Sequence, residues 1–456
     1  MSLDTSWLVL LPSVVTVVTA MLSRRPIESI LAGVLVGLIM LEPSTALTNF
    51  SSILLEVMMS ETIAWVIIVC GLMGSLIMLL MRAGASGTFG RLLATKAKGS
   101  ESALVYTWLL GLVIFIDDYL NALAVGSSMR KVTDKFKVSR EMLAYVVDST
   151  AAPICVLVPV STWAVFYAAL FMDSGFADKG QGMALYISAI PYMIYPMVAA
   201  AMVPLVATGR IPLFGLMQTA ELKASRGEIP IPQGDFELEA AEDPDNKAQI
   251  YHFLLPIIGL LGFSMWDDPW NPDVQLGVIV AVALTILLYG VQRLMAWTEM
   301  FDAVLDGIKV MLPALTIIVA AFVFKEVNDR LGLATFVIGN VAPLLTPTLL
   351  PMVVFVTMAL ISFATGSSWG VFTIAIPIIL PLADSVGVSM PLAIGALVSA
   401  STFGSHACFY SDSTVLAAQA SGCEVMDHAL TQIPYALIAA AISCVGLTLL
   451  AARWAG

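Results

Sequence analysis

An apolar run from Ala103 to Met129 carries two adjacent carboxylates, Asp117 and Asp118, near its middle and basic residues close to both of its ends. Positive charge collects in the cytoplasmic loops of a membrane protein, so a single crossing between two basic loops is disfavoured. A chain that enters from the cytoplasm, turns at the acidic pair and returns to the same side satisfies the charge pattern. The run therefore predicts a re-entrant hairpin with both carboxylates near its tip, inside the membrane.

The composition of the whole chain is that of a helical membrane protein. Of its 456 residues, 59% are hydrophobic and 12% are charged, with a mean hydropathy of +0.93, whereas soluble domains are nearer a quarter charged. Apolar runs of about twenty residues predict membrane-spanning helices rather than the short alternating segments of a barrel. The net charge is −12 and there is no basic tract. We therefore expect a lipid bilayer and no nucleic acid among the partners.

The positions of the basic residues favour one topology. With ten spans and two hairpins, 17 of the 21 Lys and Arg residues lie inside, and four, at positions 179, 325, 330 and 453, lie outside. Turning either hairpin into a full crossing would invert everything after it and spoil this asymmetry. The predicted location is the bacterial inner membrane, with both termini on the extracytoplasmic side.

The chain divides into two halves around a polar segment. We expect residues 1–210 to form a first repeat with its hairpin at about 103–129, residues 211–249 to form a cytoplasmic linker, and residues 250–456 to form a second repeat. The hairpin of the second repeat is predicted at about 349–383, reached from the outside.

The two halves match weakly but in order. The segment KVTDKFKVSREMLAYVV (131–147) parallels PLADSVGVSMPLAIGAL (381–397), and the FIDDYLN turn (115–121) parallels FATGSSW (363–369). Each half has five spans, so the second half must be inverted relative to the first. The predicted fold is an all-α polytopic membrane protein of about ten transmembrane helices plus two re-entrant hairpins, in two inverted-topology repeats. This architecture is typical of secondary transporters, whose interrupted helices mark the substrate site.

The tip of the first hairpin is a candidate binding site. A carboxylate in hydrocarbon costs several kcal/mol, which favours a functional role for Asp117 and Asp118, with Asn121 beside them. The alternative is that the two carboxylates sit at an aqueous rim and cap the turn.

The segment DSTAAP (148–153) predicts an interrupted helix, because Pro153 and small polar residues disfavour a continuous one. Free carbonyls together with Asp148, Ser149 and Thr150 offer the oxygen ligands that a hard cation prefers. Asp118, Asp148 and Thr150 are the predicted sodium ligands. The alternative for Asp148 is an N-cap of the following half-helix.

The second half supplies uncharged candidates. We expect Thr365, Gly366, Ser367 and Ser368 to form the tip of its hairpin, where hydroxyls and amides suit the polar groups of a substrate; the alternative is a glycine-driven turn. A second interrupted helix is predicted at SASTFGSHACF (399–409). Its candidate residues, with one that follows it, are Ser401, Thr402, His406 and Asp412. An intramembrane histidine can shuttle protons, and the alternative is a satisfied packing residue.

Three motifs carry a family resemblance: FIDDY (115–119), DSTAAPICVLVPVSTW (148–163) and FGSHACFYSDSTVLAA (403–418). Together they resemble the NhaC family of sodium/proton antiporters, in the ion transporter superfamily, over nearly the whole chain. Ser405 stands where members of that family often have an acid, and Cys408-Phe409 replace Ser-Pro. The resemblance implies a homodimer with a scaffold part and a mobile transport part. The family also contains exchangers of organic acids and carriers of amino acids.

These observations leave two functions open. One is exchange of Na⁺ for H⁺, and the other is a Na⁺- or H⁺-coupled carrier of a small organic solute, an amino acid or a carboxylate. An enzyme is not expected, because the sequence has neither a nucleophile–base pair nor an HExxH-type metal motif. The only cofactor-like partner predicted is the coupling ion itself, Na⁺ or H⁺.

Overall fold

The computed structural model describes an all-helical chain, and no strand occurs in the parts that it describes. The described residues are 7–23, 25–85, 88, 95–228, 247–333, 336, 345–365, 368–409 and 411–455. The predicted all-α fold class is therefore confirmed.

The helices of the first repeat and of the start of the linker are mostly short and broken. They are α1 (Leu11–Ser23), α2 (Pro26–Leu41), α3 (Ala46–Met58), α4 (Glu61–Arg82), α5 (Ser100–Val113), α6 (Asp118–Lys135), α7 (Arg140–Thr150), α8 (Ala152–Cys155), α9 (Thr162–Asp173), α10 (Gly182–Ala189), α11 (Ile194–Ala207) and α12 (Gly215–Ser225).

The helices after the linker include the longest ones. They are α13 (Ile250–Ser264), α14 (Val274–Val291), α15 (Trp297–Arg330), α16 (Leu350–Thr365), α17 (Ser368–Val386), α18 (Met390–Ala407), α19 (Asp412–Ser421) and α20 (Val425–Ala455).

Three of the described helices are long and apolar enough to cross a membrane alone: α4, α14 and the Val425–Arg453 part of α20. Two bent pairs have the same property. They are α10 with α11, bent by 56°, and the two parts of α15, bent by 41°. The first bend follows Pro191, which interrupts the helix because proline lacks a backbone N–H donor.

The first half is interrupted at both predicted places. Helix α5 ends at Val113 and α6 begins at Asp118, so residues 114–117 are not helical. Helix α7 ends at Thr150, and the short α8 contains Pro153. Residues 156–161 then leave the helical conformation before α9 begins. Interrupted helices of this kind leave some backbone groups without partners inside their own helix.

The prediction of an interruption at 399–409 is wrong in its position. Helix α18 continues through most of this stretch and ends at Ala407. The next helix, α19, begins at Asp412. The small polar residues are accommodated because the hydroxyls of Ser401 and Thr402 donate back to the carbonyl of Val398, at 2.8 and 2.7 Å. Such bonds satisfy the hydroxyls without ending the helix.

Three further elements differ from the expectations. The last helix begins at Val425, although the apolar pattern suggests a start at Leu430, because polar residues of its first turns face buried partners. The stretch 42–61, expected as an outer loop, contains α3, whose Ile53 and Val57 are buried. Helix α12 lies within the predicted linker.

Two of the several helices that end in one shared hydrogen-bond pattern lie at aligned positions of the two halves. After α6, Lys137 has φ 58°, and the N–H groups of Lys137 and Val138 donate to the carbonyls of Asp134 and Thr133. After α17, Gly387 has φ 79°, and the N–H groups at 387 and 388 donate to the carbonyls at 384 and 383. Both ends are Schellman motifs at positions that the sequence comparison aligns.

Helix α7 forms the centre of the packing. Residues 141–150 of α7 are all buried, and the helix contacts α5, α6, α19 and α20. Gly111 on α5 permits this approach, because a Cβ there would lie 2.2 Å from the hydroxyl of Thr150. Gly126 on α6 similarly admits Ala420 of α19, 2.6 Å from its would-be Cβ. Small residues at such crossings are typical of helix packing in membranes.

Candidate functional site

Asp148 lies on the last turn of α7, is 0% exposed, and is bound by side chains from the end of the chain. Its Oδ2 atom accepts hydrogen bonds from Thr414 Oγ1 at 3.1 Å, His428 Nε2 at 3.2 Å and Gln432 Nε2 at 2.8 Å. The N-cap position of the next helix, α8, is occupied by Ala151 and not by Asp148, so the N-cap alternative for Asp148 is wrong. We call Asp148, Thr414, His428 and Gln432 the Asp148 cluster.

Two oxygen atoms of this cluster have no donor among the described residues. Asp148 Oδ1 and Gln432 Oε1 are both buried and accept no hydrogen bond. The amide orientation of Gln432 is fixed, because its nitrogen donates both to Asp148 Oδ2 and to the carbonyl of His406. Buried polar atoms are nearly always satisfied, so these two oxygens are the atoms of the cluster that are available to a ligand.

The polypeptide around Ser405 positions the hydroxyl of Thr414. The carbonyl of Ser405, near the end of α18, accepts from the hydroxyls of Ser411 and Ser413. It also lies 3.1 Å from Thr414 Oγ1, whose one proton is shared between this carbonyl and Asp148 Oδ2. Ser411 also caps α19 through the N–H of Thr414. The SDST segment therefore satisfies the end of one helix and the start of the next, and it holds Thr414 against Asp148.

His406 is buried beside the Asp148 cluster and is bonded at both ring nitrogens. Nε2 lies 2.9 Å from Ser149 Oγ, and Nδ1 lies 2.7 Å from the hydroxyl of Tyr195. A neutral imidazole donates from one nitrogen and accepts at the other, and both hydroxyls can play either part. The histidine is thus satisfied, as the packing alternative proposed.

Asp117 and Asp118 are buried at the N-termini of two helices, with 4% and 1% of their surface exposed. Asp117 accepts from the N–H of Tyr119 at 3.0 Å and from the hydroxyl of Thr162 at 3.0 Å. Asp118 accepts from Trp163 Nε1 at 3.0 Å. The starts of α6 and α9 both favour negative charge through the helix dipole. Asp117 caps its turn, as the alternative interpretation proposed, and it is buried.

Asn121 connects this acidic tip to the end of α7. Its amide nitrogen lies within 2.9 Å of the carbonyls of Gly111, Ile114 and Thr150. The Thr150 hydroxyl donates back to Val146 and Val147. Asn121 and Thr150 therefore bind two interrupted helices together, and the described hydrogen bonds of Asp118 and Asp148 go to different partners.

Ser401 and Thr402 lie on α18 and are fully buried. Ser401 Oγ is 3.0 Å from the hydroxyl of Tyr167 on α9. Since Ser401 donates to Val398, Tyr167 donates to Ser401. The rings of Tyr167 and Tyr186 are 5.7 Å apart, and the Tyr186 hydroxyl donates to the carbonyl of Val156 at 2.6 Å. This side of the interrupted helices is lined with hydroxyls.

Five predicted residues fall outside what is described. Gly366 and Ser367 lie outside the described residues, and for Thr365, Ser368 and Asp412 only the helical backbone is described. Helix α16 reaches Thr365 and α17 begins at Ser368.

The sequence interpretation omitted His428, Gln432, Thr414 and Tyr195. His428 and Gln432 are four residues apart, and such spacing places them on one helix face. They precede or begin the final apolar run, so their polar character resembles that of a loop. Two strong hydrogen-bonding groups at helical spacing next to a membrane helix would have indicated them. No group of three or more His, Cys, Asp or Glu suited to a bound metal occurs within the described part of the chain.

Comparison with known protein sequences gives consistent results. The sequence model of the Na⁺/H⁺ antiporter family matches residues 154–452. An uncharacterized protein of Haemophilus influenzae is 26% identical over 98% of this chain and 91% of its own length. The malate-2H⁺/Na⁺-lactate antiporter of Bacillus subtilis is 26% identical over 43% of this chain and 41% of its own. The arginine/ornithine antiporter ArcD of Halobacterium salinarum is 26% identical over 46% and 44%.

Two solved structures share the fold. MtrF of Neisseria gonorrhoeae, described as one of a class of antimetabolite efflux pumps, aligns with a TM-score of 0.57 at 13% identity over 89% of this chain and 83% of its own. The YdaH transporter of Alcanivorax borkumensis aligns with a TM-score of 0.54 at 14% identity over 90% and 87%. Because the family match covers more than half of the residues, this membrane protein belongs to the Na⁺/H⁺ antiporter family.

Proposed function

We propose that this chain is a secondary active transporter that exchanges Na⁺ for H⁺ at the Asp148 cluster. The observation that carries the proposal is the buried carboxylate of Asp148. Its Oδ2 atom has three hydrogen-bond donors, whereas its Oδ1 atom has no donor among the described residues. Gln432 Oε1, on a side chain that holds the same carboxylate, is also without a donor.

The chemistry of these atoms suits a small hard cation. Such ions prefer oxygen ligands, and an ionised carboxylate in a medium of low dielectric needs a positive partner. Thr414, His428 and Gln432 fix the carboxylate through Oδ2, so that Oδ1 is the oxygen that meets the ion. A proton on the same carboxylate removes the charge that holds Na⁺. Because one group cannot hold both ions, binding of one releases the other, and this competition couples the two ions when the occupied site is exposed to the two sides of the membrane in turn.

His406 and Tyr195 provide a route for the proton. Ser149, adjacent to Asp148 in the chain, bonds His406, and His406 bonds Tyr195. In the proposed function, Asp117 and Asp118 form a second negative locus at the first hairpin tip. They attract the cationic part of the substrate, or the coupling ion, to that side of the site.

The proposed architecture keeps ten spans, two re-entrant hairpins and two inverted repeats. Support comes from the interruption at 114–117, from the contact of α5 with α6, and from the Schellman motifs at Lys137 and Gly387, which occupy aligned positions. A homodimer in the bacterial inner membrane, with both termini outside, completes the proposal. Its basis is the family resemblance and the distribution of basic residues.

The second candidate is a Na⁺- or H⁺-coupled exchanger of a small organic solute. The buried polar pairs Tyr167–Ser401 and Tyr195–His406 favour it, because hydroxyls of this kind suit the polar groups of an organic solute. Two relatives are named for antiport of malate and lactate or of arginine and ornithine.

A reconstitution experiment separates the two candidates. The purified chain is placed in vesicles with an internal pH dye, and Na⁺ is added alone or together with malate, lactate, arginine or ornithine. Proton movement with Na⁺ alone supports simple exchange. Dye silence until one of the solutes is present would instead support the carrier. If the Asp148→Asn variant moves protons at the wild-type rate, the Asp148 cluster is not the ion site under either candidate.

A further inference from the structure

A small cavity lies at the cytoplasmic end of the predicted topology, beneath α12. Its volume is about 130 Å³, and it is lined by the starts of α7 and α20 and by one face of α12. Glu141 comes from α7, Asp427 and Thr431 come from α20, and Lys223 comes from α12. Glu228, just after α12, completes the charged lining.

Glu141 gives this cavity a chemical character beyond a cluster of acids. Its residue is 7% exposed, and its Oε2 atom is buried and accepts no hydrogen bond from any described residue. The side chain sits in the first turn of α7, where the helix dipole favours the ionised carboxylate. A carboxylate with one buried oxygen that lacks a donor, on a residue that lines a cavity, points to a cation as its partner.

The balance of charge around the cavity favours the same ligand. Glu141, Glu228 and Asp427 contribute three carboxylates, and Lys223 contributes the single basic side chain among the lining residues that the structure describes. An anion would be repelled by this lining. Because the cavity has room for only a few water-sized groups, it suits a small cation rather than an organic solute.

The cavity and the Asp148 cluster share two helices. Glu141 and Asp148 are seven residues apart on α7, which places them on one face about 10 Å apart along the axis. On α20, Asp427 directly precedes His428, and Thr431 directly precedes Gln432. His428 and Gln432 both belong to the Asp148 cluster. None of the cavity-lining residues forms a described hydrogen bond with Asp148, so the two sites have separate ligands.

We propose that this cavity is a second cation site, at the cytoplasmic mouth, where Glu141 binds a small cation before it reaches Asp148. The order of binding rests on the proposed function, because it assumes that Asp148 receives a cation. Binding of a cation at Glu141 does not depend on the proposed function.

The test measures equilibrium binding of radioactive Na⁺ to the purified full-length chain in detergent. Wild-type protein is expected to bind two Na⁺ per chain. Glu141→Gln is expected to bind one fewer, because the amide keeps the volume and removes the charge. Thr219→Lys, which places an ammonium group in the same cavity from α12, is expected to have the same effect and covers the case in which Glu141→Gln misfolds. Glu424→Gln removes an exposed carboxylate near the start of α20 that does not line the cavity, and it serves as the matched control.

Wild-type stoichiometry in both Glu141→Gln and Thr219→Lys would overturn the inference. The Asp148→Asn variant tests the other site independently, and it is expected to lose one Na⁺ while keeping the Glu141-dependent one. If Asp148→Asn binds as much Na⁺ as the wild type while Glu141→Gln binds less, the cavity site stands and the proposed function fails.

Discussion

Gln432 Nε2 lies 2.8 Å from Asp148 Oδ2 and joins two residues that are 284 positions apart in the chain. The same nitrogen donates to the carbonyl of His406. A single amide thus fixes α20 against both α7 and α18, while its own oxygen lies buried without a donor. The contact joins Asp148, which the sequence predicted as a site residue, to Gln432, which it did not.

Asp148→Asn is expected to abolish transport while leaving the protein folded. The amide has the volume of the carboxylate but no charge to hold a cation. Ion-driven dye response in reconstituted vesicles measures the loss, and gel filtration of the purified variant reports its fold. Asp384→Asn, which changes an exposed acid in the last turn of α17, is the matched control and is expected to transport normally. Equal rates in Asp148→Asn and the wild type would contradict the assignment.

Gln432→Met is expected to raise the Na⁺ concentration at half-maximal rate about tenfold to a hundredfold. The substitution removes an amide that donates to a buried carboxylate, and hydrogen bonds to charged groups contribute about 1.5–3 kcal/mol. The measurement is the Na⁺ concentration at half-maximal rate. Gln432→Glu provides a second comparison, because its carboxylate would repel Asp148 and reduce transport further. An unchanged half-maximal concentration in both variants would show that Gln432 has no part in ion binding.

Asp118→Asn is expected to abolish transport without loss of folded protein. The amide oxygen can still accept from Trp163 Nε1, which lies 3.0 Å from the present carboxylate, so the packing persists while the charge disappears. Vesicle assays measure the rate, and the near-ultraviolet circular dichroism of the tryptophans reports the packing. Asp302→Asn, on the exposed side of α15, is a control for removal of one acid. Wild-type transport by Asp118→Asn would leave the first hairpin tip with only a structural role.

Gly74→Ala is expected to destabilise the protein, whereas Gly71→Ala on the same helix is expected to be tolerated. A Cβ at position 74 would lie 2.4 Å from the carbonyl oxygen of Gly307, where α4 crosses α15. At position 71 the nearest atom would be Ile308 Cγ1 at 3.7 Å, an ordinary contact. Overpacking of this kind costs about 1–3 kcal/mol. Thermal unfolding in detergent measures both variants, and equal melting temperatures would contradict the close crossing.

The docking of α12 is expected to weaken as the pH rises. Burial raises the pKa of Glu221 above its ordinary value, although hydrogen bonds with Ser139 lower it; the nearby Glu141 charge raises it further. A raised pKa means that the docked helix binds the proton more tightly than the undocked one. Docking is therefore strongest below the ordinary pKa of a glutamate and is lost progressively as pH rises through the raised pKa.

Hydrogen exchange of the α12 amides, corrected for the intrinsic rate, measures this effect. Glu221→Gln removes the titration, so its protection is expected to stay constant across the same pH range. Protection that changes with pH equally in both proteins would assign the effect to another group.

The composition and the spacing of the apolar runs determined that this chain is an all-helical membrane protein. Pro153 and the residues around it predicted an interruption, because proline removes a backbone donor whatever surrounds it. The buried acids at 117, 118 and 148 were also predictable, since a carboxylate within an apolar run has a high cost unless it has a function or a partner. These properties depend on neighbouring residues in the chain, so they can be predicted from the sequence alone.

Only the tertiary structure decided which side chains meet. Ser401 and Thr402 suggested a break, but their hydroxyls bond within α18 and the helix continues. His428 and Gln432 looked like the edge of a span, yet they hold Asp148 from across the fold. A hydroxyl or an amide can bond its own helix or a distant one at similar free energy. The choice between these partners depends on which helices pack together, and that is a property of the whole fold.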